Sequence, residues 1–267
     1  MMPDEGARAM PAAPRPCVCY GAPVAKHVVF LGATKGMGRA RARRMAERGD
    51  ALFLLGRSSE DLEATAADLA LRGAEATGHA PCDLEDPAGF SAAFEAAEAT
   101  LGRVDVVVVT AGLFATQDEL EADPGLAERL TRVNFTNTVV FCEEAKRRLL
   151  AAGGGTLCVF SSVAGERGRK PVVIYGASKA GLSRYLEGLD HKHRASGLRV
   201  VTVKPGFVKT GMTAGLAPPP FAGEPEGVAA DVLQALDRGD PVVYAPAPWR
   251  LVMAVIRRLP RAIKRRV

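Results

Sequence analysis

His27-Val28-Val29-Phe30-Leu31 runs into Gly32-Ala33-Thr34-Lys35-Gly36-Met37-Gly38 and then into a helix-like stretch from Arg39 to Arg48. The first five residues form an apolar, partly β-branched run, the pattern of a short buried strand. Strand, glycine turn and helix together aim backbone N–H groups and a helix N-terminus at a pyrophosphate. The spacing is G-x-x-x-G-x-G rather than G-x-G-x-x-G, and taken alone it is equally well an ordinary strand-to-helix turn. The rest of the chain decides between the two.

Strand-like segments recur at 28–33, 51–56, 74–81, 104–110, 155–160, 199–204 and 241–244, with helix-like segments in most gaps, the longest at 126–151 and 173–196. That alternation predicts an α/β fold of Rossmann type, a doubly wound parallel sheet of about seven strands. With 267 residues, 48% of them hydrophobic, the chain can bury one large core, and no repeat or second domain is evident. The expected organisation is a flexible N-terminal extension over 1–25, a nucleotide-binding catalytic domain over 26–246 and a basic amphipathic C-terminal helix over 247–267.

A second constellation carries the chemistry. In Ile174-Tyr175-Gly176-Ala177-Ser178-Lys179 a phenol and an ammonium stand four residues apart, and Ser162 lies thirteen before the tyrosine. On a helix that spacing puts both side chains on one face. A nearby cation is expected to favour the phenolate and lower the tyrosine pKa, while the serine hydroxyl could hold a carbonyl oxygen. This is equipment for moving a proton to or from an oxygen while a hydride moves elsewhere.

Together these pieces resemble the short-chain dehydrogenase/reductase family over roughly residues 27 to 245. Tyr175 and Lys179 match its Y-x-x-x-K, Ser162 its serine, Asn134 in Val133-Asn134-Phe135 its helix asparagine, Asp83 in Cys82-Asp83-Leu84 its aspartate after strand three, and Pro205-Gly206 with Thr210 its P-G motif. One departure stands out: the family's N-N-A-G reads here Val109-Thr110-Ala111-Gly112, with threonine for the bracing asparagine. The resemblance implies a catalytic set of Asn134, Ser162, Tyr175 and Lys179. Ser162 would bind the substrate carbonyl, Tyr175 donate the proton, Lys179 tune the tyrosine and hold the nicotinamide ribose, and Asn134 anchor a water of the proton relay. It also implies a nicotinamide cofactor held by Gly32, Thr34, Lys35, Gly36, Met37, Gly38, Arg57, Asp83, Leu84, Ala111, Gly112, Tyr175, Lys179, Pro205, Gly206, Val208 and Thr210.

The cofactor choice follows from charge. Gly56 occupies the strand end where NAD-using relatives carry an aspartate, and Arg57 follows it. Lys35 and Arg57 would pair with a ribose 2′-phosphate, so NADP(H) is expected over NAD(H); solvated surface cations are the alternative.

Five cysteines (17, 19, 82, 142 and 158) form no even framework and no C-x-x-C, consistent with reduced thiols and no metal site. His191 and His193 read as solvated. Residues 1–25 lack the apolar core of a secretory signal, and no run reaches the eighteen or so apolar residues of a spanning helix, so a cytoplasmic protein is expected.

From Trp249 to Val267 there are seven basic residues and no acidic one, with apolar residues recurring at helical spacing at Leu251, Val252, Val255, Ile256, Leu259 and Ile263. Two readings stand level: a helix closing onto the domain, or peripheral contact with the cytoplasmic face of an anionic membrane. The net charge of +5 lies largely in this tail, which argues against a nucleic-acid-binding face. The C-terminal half, in Ser161 to Arg167, Tyr175 to Leu182, Val203 to Met212 and the ending around Tyr244-Ala245-Pro246 and Arg257 to Arg261, is similar to the decaprenylphosphoryl-2-keto-erythro-pentose reductases. That likeness implies a keto-sugar on a polyprenyl phosphate carrier, with Arg167, Arg169 and Lys170 either meeting a phosphate or standing in solvent. A 3-keto lipid, of 3-ketosphinganine or 3-oxoacyl type, is the rival substrate, and a non-catalytic NADP-binding sensor or scaffold the rival class. By analogy with the family, the helices at 126–151 and 173–196 imply a homo-dimer or tetramer.

Overall fold

The computed structural model describes residues 25–264. The expected N-terminal extension, apart from residue 25, lies outside the described residues, as do Cys17, Cys19 and the last three residues of the tail. In chain order the elements are β1 (His27–Leu31), α1 (Gly36–Glu47), β2 (Ala51–Gly56), α2 (Ser59–Leu71), β3 (Thr77–Pro81), α3 (Phe90–Leu101), β4 (Val106–Val109), α4 (Gln117–Ala122), α5 (Pro124–Thr131), α6 (Thr138–Ala151), β5 (Gly155–Phe160), α7 (Val173–His193), β6 (Leu198–Pro205), α8 (Pro225–Arg238), β7 (Val242–Ala245), α9 (Trp249–Arg258) and α10 (Arg261–Lys264).

All seven strands pair in parallel in the order β3-β2-β1-β4-β5-β6-β7. The doubly wound sheet inferred from the alternating pattern is therefore the observed one. Apolar residues occupy both faces of its central strands because helices cover both. Val29, Leu31, Val107, Val109, Leu157 and Val159 pack in one layer with Phe94, Phe141 and Leu182. Val28, Phe30, Val106, Val108, Val201 and Val203 pack in the other with Met45, Leu62 and Val232. The order in which strands are added reverses between β1 and β4, and that is where an open α/β sheet leaves a crevice beyond its strand ends. The glycine turn follows β1 there, and Thr110-Ala111-Gly112 follows β4.

Two elements differ from their sequence-based outlines. The helix expected over 126–151 is interrupted by a π-helical turn, Arg132–Asn137. Thr138 Oγ1 donates to the Val133 carbonyl at 2.7 Å, and Asn137 Nδ2 donates to the Leu84 carbonyl at 2.6 Å, so side chains help hold the widened turn. The tail is broken rather than one helix: α9 ends at Arg258, Leu259 is extended ahead of Pro260, which cannot continue a helix, and the short α10 follows. One side-chain expectation also shifts: His191 is exposed, but His193 is half-buried, with its Nε2 covered.

Candidate active site

The glycine turn is built for close approach. Gly32 has φ +95°, and a Cβ there would stand 2.7 Å from both the Ala111 nitrogen and Thr110 Oγ1. A Cβ on Gly38 would run into the Gly32 carbonyl, so α1 can lie this tightly on β1 only with glycine at that position. Thr110 accounts for its own departure from the family pattern. Its hydroxyl donates to the Gly32 carbonyl at 2.9 Å, tying the end of β4 to the turn with a single group. Helix α1 opens without a capping side chain and without an acidic residue in its first turn, leaving its N-terminal N–H groups to an anion.

Two cavities of about 240 Å³ each share Thr110, Gly112, Leu113 and Met212 as walls. Gly32, Thr34, Lys35, Arg57, Asp83 and Leu84 line the first, with Ala111. Met37, Ser162, Tyr175, Lys179, Pro205 and Gly206 line the second, with Val208 and Thr210. An elongated molecule can thus lie from the end of β2, across the switch point, to Tyr175. The glycine cradle, the uncapped α1 and the adjoining cavities fit a dinucleotide.

Within the first cavity the two expected cations differ. Lys35 Nζ pairs with Asp61 Oδ2 at 3.0 Å at the rim, with 77% of its side chain exposed. Arg57 is exposed beside Gly56 and has no ion pair among the described residues. Glu85 on the same wall is forked by Arg129, whose Nε lies 2.9 Å from Oε2 and whose NH2 lies 2.5 Å from Oε1. The Arg129 hydrogen bonds hold that carboxyl below its usual range.

In the second cavity the serine pair divides its work. Ser161 Oγ donates to the Lys179 carbonyl at 3.0 Å and meets Ser183 Oγ at 2.7 Å, which fastens β5 to α7. Ser162 accepts the Ala164 N–H at 3.0 Å and hydrogen-bonds the Tyr175 phenol. Tyr175 stands in the first turn of α7, its ring packed edge-on against Phe114 at 5.2 Å. Burial pushes the phenol's pKa up and the Ser162 hydrogen bond offsets this only in part. The downward shift expected from the neighbouring lysine is thus reversed in the protein alone. Lys179 Nζ lies 5.9 Å from the Tyr175 ring centre, donates to the Phe160 carbonyl at 3.2 Å, and is pushed down to about 8 by burial.

Asn134 sits behind the wall, fully buried in the π turn. Its Oδ1 accepts the Leu113 N–H and its Nδ2 donates to the Leu113 carbonyl, both at 2.7 Å. That clasp holds the backbone segment that divides the two cavities.

The tail docks on this site. Trp249 and Met253 are buried, with Val252 and Ile256 packed alongside. The Trp249 indole lies so close over Gly206 that no Cβ would fit there, and its Nε1 donates to the Phe221 carbonyl at 3.0 Å. Arg257 pairs with Glu166 at 3.1 Å. Trp249, Leu216 and Pro219 therefore complete the second cavity's wall; Leu216 and Pro219 belong to the loop 212–224 after β6, where a substrate cover is expected, whereas the role of Trp249 has no local sequence signal. Arg169 also turns into this cavity, whereas Arg167 is exposed.

Fold and cleft together define a nucleotide-dependent oxidoreductase with a serine, tyrosine and lysine at the far end of its binding groove. A family model described as short chain dehydrogenase matches residues 26–219, and the chain belongs to that family, whose members use a nicotinamide dinucleotide. It is 38% identical over 247 residues to an uncharacterized oxidoreductase of Streptomyces coelicolor, covering 91% of this chain and 96% of that one. It is 33% identical over 240 residues to an uncharacterized oxidoreductase of Mycobacterium tuberculosis, covering 90% and 96%. A 3-oxoacyl-[acyl-carrier-protein] reductase of Bos taurus is 32% identical over 193 residues, covering 72% and 79%. Among solved structures, a short-chain type dehydrogenase/reductase of Mycobacterium ulcerans superposes with a TM-score of 0.74 at 23% identity, covering 82% and 87%.

Proposed function

We propose that this chain reduces a ketone to a secondary alcohol, taking NADP(H) in preference to NAD(H), with Asn134, Ser162, Tyr175 and Lys179 as its working set. The observation that carries the reading is the convergence of Ser162, Tyr175 and Lys179 on one cavity that adjoins the glycine-lined groove. When bound, the dinucleotide supplies the hydride. Ser162 holds the substrate oxygen by a hydrogen bond. Tyr175 gives that oxygen its proton as negative charge develops there. Lys179 stabilises the phenolate left behind, and Asn134 fixes the Leu113 segment and supports the water that returns the proton. The groove residues from Gly32 to Gly38, with Asp83, Leu84, Ala111, Gly112, Pro205, Val208 and Thr210, would hold the cofactor. Oxidation of NADPH in the presence of ketones tests this; NADPH that binds but is not consumed across a broad ketone panel would restore the sensor reading.

The NADP(H) preference is supported by Arg57 at the end of β2, where Gly56 supplies no carboxylate to repel a 2′-phosphate. Lys35 contributes less, because Asp61 already holds it. Arg57→Asp should lower the NADPH-to-NADH ratio of kcat/KM by on the order of 10- to 100-fold, the worth of a charge-assisted pair. A wild-type enzyme that prefers NADH overturns the assignment.

For the substrate, a keto-sugar on a polyprenyl phosphate is the first reading, supported by the C-terminal likeness and by the largely apolar wall of Leu113, Phe114, Val172, Phe207, Leu216 and Trp249. A 3-keto lipid is the second, favoured by the likeness to the bovine 3-oxoacyl reductase; side-by-side turnover of the two separates them. Either substrate suits a membrane-facing tail. Leu251 and Val255, one turn apart on α9, are 74% and 61% exposed, while the opposite face of the helix packs on the domain. No helix among the described residues is long and apolar enough to cross a membrane. The Leu251→Glu/Val255→Glu double variant should lose co-sedimentation with anionic vesicles while keeping its activity on water-soluble ketones; unchanged co-sedimentation removes membrane contact from the proposal.

A further inference from the structure

Arg169 is an arginine whose situation nothing in the catalytic scheme explains. It lies in the segment between Ser162 and α7, with extended backbone, and its side chain lines the same cavity as Ser162 and Tyr175. Its Nε is fully covered and has no hydrogen-bond partner among the described residues, and no carboxylate pairs with it. Several other covered or half-covered cations are matched: Lys204 by Glu166, Arg148 by Glu98 and Glu144, and Arg129 by Glu85. Arg41 is also unpartnered among the described residues, but it is packed in the core and lines neither of the two cavities. Lys179, the other cation on this cavity's wall, is anchored to the Phe160 carbonyl. The lining residues of the cavity include no aspartate or glutamate. Arg169 is half-buried, and a covered N–H donor left without an acceptor is costly, since buried donors are ordinarily satisfied. Among the described residues no acceptor meets Arg169 Nε and no carboxylate pairs with the side chain, so the group that completes it comes with the ligand.

We infer that Arg169 is a specificity residue that binds an anionic group, carboxylate or phosphate, carried on the same molecule as the reacting ketone. The inference rests on the ketone-reductase reading for what happens at Tyr175, but its binding half stands by itself. The planar, forked guanidinium suits both oxyanions. The rest of the wall is chiefly apolar, with Phe114, Val172, Phe207, Leu216 and Trp249, and would accept the carbon skeleton between the two polar ends.

Two matched pairs of probes separate the sources of the anion: levulinate with methyl levulinate, and dihydroxyacetone phosphate with dihydroxyacetone. Trp249 is the chain's single tryptophan and lines the cavity, so its fluorescence reports binding without turnover. Arg169→Met should weaken the charged member of at least one pair by on the order of 10- to 100-fold and leave the neutral members unchanged. In turnover the same loss should fall on KM, with kcat retained. Arg169→Lys should recover only part of the affinity, since a point charge lacks the fork; it also carries the test if the methionine variant does not fold. The affected pair identifies carboxylate or phosphate. Equal affinities of wild type and both variants for the charged probes, or equal losses on charged and neutral probes, overturn the inference. Arg169-dependent binding without NADPH consumption would instead overturn the reductase reading and leave the anion site standing.

Discussion

Tyr175→Phe lowers the rate of ketone reduction by on the order of 10²–10⁴-fold, the usual worth of a positioned acid, and leaves dinucleotide affinity intact. Phenylalanine keeps the ring and its edge-on contact with Phe114, so α7 and the cavity wall hold their shape. What disappears is the phenol oxygen and its hydrogen bond to Ser162. Burial holds the phenol protonated, which is the form a reductase needs before the hydride arrives. The cost falls on the phenolate that follows, and Lys179 is the cation available to it. Burial has brought Lys179 down to about 8, so the ammonium is present below that pH and lost above it. Reduction should therefore fall as pH rises through about 8, and Lys179→Arg should move this alkaline limb upward, because guanidinium does not titrate there. Steady-state rates across the pH range, with dinucleotide binding measured separately, check both. A Tyr175→Phe enzyme that turns over within a few-fold of wild type would show that the proton comes from elsewhere.

The parts of the site that depend on local chain geometry were readable in advance. A glycine at a positive φ, a tyrosine four residues before a lysine and β-branched runs each carry their reason within a few residues, and they fell at the switch point and in the first turn of α7. What could not be read depends on distant partners. Lys35 and Arg57 look alike in sequence, but only Lys35 has Asp61 within reach. Ser161 and Ser162 are adjacent, and which one packs against α7 is settled by Ser183, more than twenty residues on. The π turn that carries Asn134 lies inside an otherwise helical pattern and is held by bonds to Val133 and Leu84 rather than by a breaking residue. Trp249 reaches the cavity because Gly206 leaves it room, a fit between residues that share no local pattern. The amphipathic stripe of the tail was visible, but not that its two sides part company, with Trp249 and Met253 inward and Leu251 and Val255 outward.

Arg41→Met should make the protein more stable, and the reason lies on the far side of the sheet from Tyr175. Arg41 is on α1, has no exposed surface, and none of its three guanidinium nitrogens has a hydrogen-bond partner among the described residues. Burial depresses its pKa, and the opposing influence of Cys158, Asp237 and Asp50 does not restore it. Both carboxylates are already engaged by Arg48, which reaches Asp237 at 2.8 Å and Asp50 at 2.5 Å. Arg48 also repels Arg41. The balance is thus desolvation and one like charge against Cys158 and two carboxylates whose hydrogen bonds go elsewhere. Replacing buried charge by apolar volume often gains roughly 1–4 kcal/mol, and in a domain this size each kcal/mol moves Tm by about 2–4 °C. Methionine is the apt replacement because its flexible chain can follow the path of the arginine stem; alanine would leave a cavity whose cost cancels the gain. Thermal and urea unfolding of Arg41→Met, with activity measured alongside, test this. A variant less stable than wild type would mean that Asp237 and Asp50 attract Arg41 more strongly than burial penalises it. In that case Arg41→Met combined with Asp237→Asn would destabilise by less than the sum of the two single changes, whereas independent sites would simply add.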